Sequence, residues 1–388
     1  MSRKRALGRA LCALAFGLLL AGLLGEGVAR AYFLIASGGM SSSGLTIQEG
    51  QLFAHDELLG HRMIPRANVH FFGPEFNVQV QINGAGFRQD ENVAPDRPPG
   101  RRRILLIGDS FTFGQGVASS ERFGDKLSAG LPGVEVVNMG LSGTGTDQQL
   151  LLYQRDGLRY RADLVLLCYM TENIQRNATT ARRQPDGRMV PKPKFELSGG
   201  RLVLTNVPVP RESPEARGAV PSERRHSIGL PIPFKQYLDA HSAGYRLVRS
   251  RLGGVVRGLL GRRIEPFVEY DDSRLEWQLT ASIIREFAKM AAANHSRFVL
   301  VIVPPAECVY EPEVGDRPHR MLQELAKKER IAVIDLLPAF RAAAKQRLPL
   351  YYPLDSHWTP GGHAVAAEAI IAGLAGIAAS PDPAVLPN

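Results

Sequence analysis

Cysteine is scarce: Cys12, Cys168 and Cys308 are the only three in 388 residues, and no two form a Cys-x-x-Cys pair. That spacing excludes a disulfide framework and a zinc site built on paired thiolates. Cys12 and Cys168 fall in apolar runs and read as buried thiols; Cys168 and Cys308 are the one pair placed to meet. No cluster of His, Asp and Glu has metal-ligand spacing, so no metal and no cofactor is expected. A concentrated block of one charge is missing too. Lys and Arg number 47 against 38 Asp and Glu, giving +9, yet they come in short separated groups: residues 3–5, 101–103, 182–183, 224–225 and 262–263. With no nucleic-acid-binding motif beside them, these groups read as solvated surface, and no nucleic acid is expected as a partner.

What is present is enough apolar residue, 44%, to bury a sizeable core. The first segment, residues 1–32, joins a basic leader carrying Arg3, Lys4, Arg5 and Arg9 to sixteen uncharged residues, Ala10 to Gly25. A spanning helix needs about 20 residues, and the apolar pattern resumes at "AYFLIA". The segment reads as a signal-anchor, a single pass of the inner membrane with the bulk of the chain on the periplasmic, extracytoplasmic side. The competing reading is a signal peptide cut near Ala29-Arg30-Ala31, which releases a secreted chain. No lipid-acceptor cysteine follows the apolar run.

Residues 41–100 are polar and strand-like. Val78, Val80 and Ile82 alternate before the turn residues Asn83-Gly84, and "APDRPPGRRR" then reads as a linker. From residue 101 to 378 the rhythm changes. Short apolar runs at Ile104–Ile107, Val134–Val137, Leu164–Tyr169, Phe298–Val303 and Ile331–Ile334 lack polar alternation, as strands covered on both faces do. Helical periods lie between them at Glu121–Leu131, with Ser119-Ser120 as caps, and at Asp147–Leu158, Leu275–Ala293, Pro318–Glu329 and from Pro360 onward. The succession predicts an α/β fold, a mainly parallel five-stranded sheet with helices on both faces. Residues 177–270 interrupt it after the third strand with a hairpin turning at Gly199-Gly200 and a basic amphipathic stretch, "QYLDAHSAGYRLVRSRLGGVVRGLLGRR"; residues 379–388 are a tail.

In such a sheet ligands bind beyond the carboxyl ends of the strands. The segments there are Gly108-Asp109-Ser110, the glycine-rich "NMGLSGTGTDQQ" from Asn138, "MTENIQRN" with Asn173, and "YYPLDSHWTPGGH" with Asp355 and His357. Each alone is unremarkable. A Gly-Asp-Ser is a common turn, an asparagine a common cap, and an Asp-His pair serves many purposes. Together they supply a hydroxyl, a base to take its proton, a carboxylate to fix the base, and donors for a developing oxyanion.

These four blocks resemble those of the SGNH/GDSL family of serine hydrolases: "IGDSFTFG", "NMGLSG", "TEN" and "DSHWTPGGHAVAAEAI". The resemblance implies a three-layer α/β/α flavodoxin-like sheet, the SGNH hydrolase fold. It implies Ser110 as nucleophile, His357 as base and Asp355 as its orienting acid, with an oxyanion hole from the N–H groups of Ser110 and Gly140 and the side chain of Asn173. Two departures stand out. Asp355-Ser356-His357 has the short Asp-x-His spacing, followed by Trp358, that is similar to the exopolysaccharide and alginate O-acetylation branch. The third block reads Thr171-Glu172-Asn173-Ile174 rather than Gly-x-Asn-Asp. His363 is expected to be structural because it lacks an acidic neighbour, Asp109 to be a hydrogen-bonder in the turn, and Gln148 and Gln149 to face the cleft. The implied activity is hydrolysis of an O-acetyl or other short acyl ester on a cell-surface or secreted carbohydrate. An O-acetyltransferase fed by a polytopic membrane partner, and a non-catalytic glycan-binding module, are the alternatives.

Overall fold

The computed structural model describes residues 47–72, 75–89, 93–183, 189–212, 267, 269–310, 314–346, 349–352 and 355–379, with helical positions at 17, 21–22 and 24–28. The Ala29-Arg30-Ala31 stretch, the amphipathic stretch of the insertion and residues 380–388 lie outside the described residues.

Five short strands open the described chain: β1 (Ile47–Glu49), β2 (Phe53–Asp56), β3 (Gly60–Met63), β4 (Asn68–Phe72) and β5 (Asn77–Gln81). β1, β4 and β5 form an antiparallel sheet and β2–β3 a separate hairpin. The turn anticipated at Asn83 is closed by its own side chain, which accepts the N–H groups of Ala85 and Phe87 at 3.0 Å.

The main sheet follows with β6 (Arg102–Gly108), β7 (Val134–Asn138) and β8 (Leu164–Met170). The insertion contributes two antiparallel pairs, β9 (Ala181–Arg183) with β10 (Met189–Pro191), and β11 (Lys194–Ser198) with β12 (Arg201–Thr205). The second pair turns at Gly199-Gly200, where positive φ values of 56° and 76° suit glycine. β13 (Arg297–Val303) and β14 (Ala332–Asp335) complete the sheet. Its order is β14-β13-β8-β6-β7 and every pairing is parallel. Counted along the sheet this is 2-1-3-4-5, the flavodoxin-like order, in which the reversal between β6 and β8 opens a crevice at their carboxyl ends.

The missing polar alternation has a direct cause. Leu105, Ile107, Val165, Leu167, Leu300 and Ile302 enter one apolar cluster, while Ile104, Leu106, Leu166, Cys168, Val299 and Val301 enter a second on the opposite face. Successive side chains of one strand feed two cores, so each must be apolar. Helices Thr146–Leu152, Leu275–Ala293 and Arg317–Glu329 cover the first face, through Leu150, Phe287 and Leu322 among others. Helices Phe123–Gly130, Leu337–Lys345 and Pro360–Ala379 cover the second. The result is a three-layer α/β/α fold. Pro360–Ala379 is long and apolar enough to cross a membrane, yet it buries Ala366, Ala367 and Ile370 against this second core.

Several expectations change in detail. Ser119 and Ser120 do not cap a helix from Glu121; Ser119–Glu121 form a 3-10 turn, and the helix begins at Phe123 behind Arg122, whose buried guanidinium pairs with Asp125. Arg103 is not solvated surface. It is fully buried, bonded to Glu135 at 2.6 Å and donating to the carbonyls of Ala94, Pro95 and Tyr160, which fastens the linker to β6. Cys168 and Cys308 are both buried and free, and burial pushes each thiol up to about 12.

His363 is buried in the second face as expected. It stacks on Phe123 with ring centroids 5.9 Å apart, and its Nδ1 accepts the Phe123 N–H at 3.2 Å. Burial, reinforced by the charges of Arg88 and Arg122, lowers its pKa from 6.5 to about 3. Between those values the unfolded chain binds a proton that the folded chain refuses, so stability rises with pH across the window and is lost as pH falls from 6.5 towards 3. The expected outcome for His363→Gln is a shallower loss of denaturation midpoint between pH 6.5 and 4 than wild type shows; equal slopes would contradict the assignment.

Candidate active site

The sharp turn after β6 builds the centre of the site. Gly108 closes that strand where a Cβ atom would sit 2.1 Å from Thr112 Oγ1 and 3.0 Å from the Cys168 carbonyl, so only glycine fits. Asp109 then caps a single helical turn, Ser110–Phe113, by accepting the Phe111 N–H at 3.0 Å. Gly114 ends the turn in a left-handed conformation with φ 80°. Ser110 is thereby presented at the carboxyl edge of the sheet, and its own N–H, first in the turn, has no intramolecular acceptor among the described residues.

His357 reaches Ser110 from the far end of the chain. Its Nε2 lies 2.7 Å from Ser110 Oγ and its Nδ1 2.5 Å from Asp355 Oδ1. Asp355 and His357 meet across Ser356, which is held at φ 69°, within a turn closed by Tyr352 N–H to His357 O at 2.8 Å and Ser356 N–H to Tyr352 O at 2.9 Å. This left-handed residue is how the short Asp-x-His spacing still joins the two side chains. Trp358 fixes the next position: it is buried, edge-on to Phe111 and tilted on Phe340 at 5.1 and 5.0 Å. Burial opposes ionisation of Asp355, but the charge and hydrogen bonds of His357, with help from Gln115, outweigh it and hold the carboxyl below its usual range. An ionised Asp355 fixes the proton on Nδ1 and leaves Nε2 as the acceptor facing Ser110.

Asn173 also arrives. It is completely buried at the start of helix Asn173–Asn177, and its Nδ2 donates to Asp109 Oδ2 at 3.1 Å. Gly140 behaves differently from expectation. Its N–H donates to Asn138 Oδ1 at 2.9 Å, and Asn138 Nδ2 in turn donates to Thr112 O at 2.8 Å. A Cβ at residue 140 would lie 2.3 Å from Phe113 N. Glycine is needed there so that the loop after β7 can lie against the Ser110 turn, and its N–H is already spent. Gln148 and Gln149 likewise turn inward rather than to the cleft: Gln148 bonds Leu59 O and Gly145 N–H, and Gln149 bonds Thr144 Oγ1. Asp109 is a turn hydrogen-bonder, as anticipated.

Residues that motif reading missed come largely from the N-terminal strands. Glu75 Oε2 accepts the Asp355 N–H at 2.8 Å. Arg88, fully buried, donates to the carbonyls of Phe113, Gly114 and Val117, tying down the end of the Ser110 turn. His61 Nε2 lies 3.0 Å from Ser142 O in the loop after β7. Gln115 bridges two of these segments, accepting from Ser142 Oγ at 3.2 Å and approaching Asp355 Oδ2 at 3.5 Å. The region before residue 100 therefore touches the Ser110 turn, the loop after β7 and the Asp355–His357 turn, and shares an apolar cluster with the main sheet through Leu59, Val80 and Phe87. No local pattern marks Glu75 or Arg88; Arg176, which contacts Asn173, stands three residues after it on one helix, and that spacing was a readable signal.

A cavity of about 390 Å³ lies between this region and helix Thr146–Leu152, lined by Met63, Phe87, Met139 and Arg155 among others; no triad residue borders it. Among the described residues no group of three or more His, Cys, Asp or Glu side chains is placed to hold a metal ion.

Replacing Glu75 by Ala removes the acceptor for the Asp355 N–H. With a charged hydrogen bond contributing about 1.5–3 kcal/mol, kcat for a small ester is expected to fall roughly tenfold with far-UV circular dichroism unchanged. An unaltered kcat would remove Glu75 from the site.

The family model described as GDSL-like Lipase/Acylhydrolase matches residues 106–365. No curated protein matches the sequence. Solved structures similar to the chain include an alpha/beta hydrolase enzyme from the metagenome of Lake Arreo, Spain, at 14% identity, covering 71% of this chain and 95% of that one with a TM-score of 0.37. A member of the lipolytic G-D-S-L family from Veillonella parvula has 12% identity, coverages of 70% and 97%, and a TM-score of 0.37. An acetylxylan esterase from Geobacillus stearothermophilus, solved as a catalytic mutant, has 14% identity, coverages of 70% and 94%, and a TM-score of 0.38. At these identities and scores the identification rests on the family match, which spans two thirds of the chain and contains Ser110, Asn173, Asp355 and His357: the protein belongs to the GDSL-like lipase/acylhydrolase family and is an ester-bond hydrolase of the SGNH type.

Proposed function

We propose that the protein is an exported serine esterase that removes O-acetyl or other short acyl groups from a cell-surface or secreted carbohydrate through an acyl-enzyme at Ser110. One observation carries the reading: a single imidazole bonds Ser110 Oγ on one side and Asp355 Oδ1 on the other. His357 Nε2 takes the Ser110 proton as Oγ attacks the ester carbonyl. The tetrahedral intermediate collapses when the proton passes from Nε2 to the departing sugar oxygen, leaving an acyl-serine and a free hydroxyl. Water then attacks the acyl carbon as Nε2 takes its proton, and collapse breaks the bond to Ser110 Oγ, releases the acid and returns that proton from Nε2 to Oγ. Asp355 stays ionised throughout and stabilises the imidazolium at each stage.

The oxyanion formed in both steps takes hydrogen bonds from the Ser110 N–H and the Asn173 side chain. Because Gly140 is committed to Asn138, the second backbone donor comes instead from the stretch Ser142–Thr144, whose N–H groups have no acceptor among the described residues. The Leu141 and Gly145 N–H groups on either side are bonded to Gly108 O and Gln148 Oε1.

Export is supported by the basic leader and apolar run of residues 1–25, and the carbohydrate substrate by the Asp355-Ser356-His357-Trp358 stretch similar to the exopolysaccharide acetylation branch. A sugar hydroxyl in place of water in the second step makes the same site a transferase. That reading needs a polytopic membrane partner to deliver the acyl group, so hydrolysis is the simpler account.

A fluorophosphonate probe and a chromogenic acetyl ester test the proposal. Wild type is expected to be labelled and to release acetate, Ser110→Ala to do neither, and His357→Ala to lose at least about a thousandfold in kcat. Labelling that persists in Ser110→Ala, or a wild type inert to both reagents, would favour the non-catalytic glycan-binding alternative. Acetate release unaffected by added oligosaccharide acceptors would count against transfer.

A further inference from the structure

The third sequence block departs from its family pattern around Asn173, and the structure offers a replacement support. Arg176 Nη1 donates to Asn173 Oδ1 at 2.9 Å, to Thr144 O at 3.3 Å and to Asp109 Oδ2 at 3.4 Å. Asn173 Nδ2 donates to the same Asp109 oxygen at 3.1 Å. Arginine, amide and carboxylate thus close a small ring beside Ser110, with a fourth contact to the loop after β7. One nitrogen with two hydrogens serves three acceptors, so the two longer bonds share a proton.

The ring decides which way the amide faces. A guanidinium can only donate and a carboxylate only accepts, so Oδ1 must face Arg176 and Nδ2 must face Asp109. One N–H of Nδ2 is spent on Asp109, and the other remains for an oxyanion at Ser110. An amide turned over about its side-chain bond would place a carbonyl oxygen where that donor belongs, and would repel the charge that forms there. The Asp109 bond alone biases the orientation. The Arg176 bond makes reversal costly, because it would set a half-buried guanidinium opposite the NH₂ group of a buried amide.

We propose that Arg176 is a positioning residue for the oxyanion hole: it fixes the orientation of the Asn173 amide and holds the Thr144 carbonyl, without touching the substrate. The proposal rests on the esterase reading of Ser110. Through Arg176 the altered third block retains a functional asparagine, the role of its missing acidic neighbour being filled by Asp109 on one side and a cation on the other.

A double-mutant cycle on the full chain tests it, with 4-nitrophenyl acetate as the neutral probe substrate and Ser110→Ala as the blank. Arg176→Met is expected to lower kcat by about tenfold to a hundredfold with KM within about twofold, since misplacing a hole donor costs less than or as much as deleting one. Arg176→Lys, which can reach a single acceptor, is expected to recover part of that loss. In an Asn173→Ala background Arg176→Met is expected to cost several-fold less than in wild type, because the amide it positions is gone and only its hold on the Thr144 carbonyl remains. Two results overturn the proposal: the same fold-loss in both backgrounds, or a rise in KM with kcat unchanged, which marks a substrate contact. A merely structural arginine would lower the melting temperature and the active fraction equally in both backgrounds, which the first of these results detects. If wild type shows no Ser110-dependent turnover, the esterase reading itself fails and the role of Arg176 falls with it.

Discussion

One imidazole, held between a serine oxygen and a carboxylate, is the constraint around which the carboxyl edge of this sheet is organised. The bond from His357 Nδ1 to Asp355 sets the tautomer, and Nε2 is left facing Ser110 Oγ as an acceptor. The first contact spans two positions, but the second is long-range: Ser110 and His357 lie 247 positions apart in the chain. The fold brings them together because β6 and the start of helix Pro360–Ala379 reach the same edge. Phe111 packs on the imidazole and Trp358 packs edge-on against Phe111, so the ring has little freedom to leave the line.

Around that line is a shell of buried hydrogen bonds that costs the chain several charged groups in its interior. Arg88 and Arg122 are both completely buried, yet each donates to backbone carbonyls at the turns flanking Ser110. Burial of a guanidinium is tolerated where its charge is met by oxygens, and here the oxygens that accept from Arg88 Nη1 and Nη2 and from Arg122 belong to segments that must not move. Burial, reinforced by the same two cations, keeps His363 neutral beneath the site. Glu75 completes the shell by gripping the backbone of Asp355 rather than its side chain, which steadies the acid without adding a competing partner for its carboxylate oxygens.

Much of the fold was legible in the sequence because it is written in local periods. Five apolar runs gave five parallel strands, and the two-sided burial that makes them apolar is visible in the division of Ile104 and Leu105 between opposite cores. That Ser110, Asn173, Asp355 and His357 gather at the carboxyl edge was legible too, since each falls just after a strand or before a helix in a recognisable block. What was not legible depends on distance through space. Gly140 looked like an oxyanion donor until Asn138 was seen to hold its N–H, and the reason for glycine there is the backbone of Phe113, 27 positions away in the chain. Glu75 acts on a residue 280 positions further on, in a region that composition alone set apart as an appendage. Arg103 looked solvated because a run of three arginines usually is, but Glu135 and four carbonyls enclose it.

The central claim is that Ser110 becomes covalently acylated during turnover. It is tested most directly by acid-quenching the protein during steady-state cleavage of an activated acetyl ester, then measuring intact mass and mapping the modified peptide. The account predicts a population heavier by one acetyl group, with the acetyl on Ser110, that disappears once substrate is exhausted and never forms in Ser110→Ala. Sustained, His357-dependent turnover with the acetyl group on another residue, or with wild type and Ser110→Ala hydrolysing the ester equally fast, would contradict it.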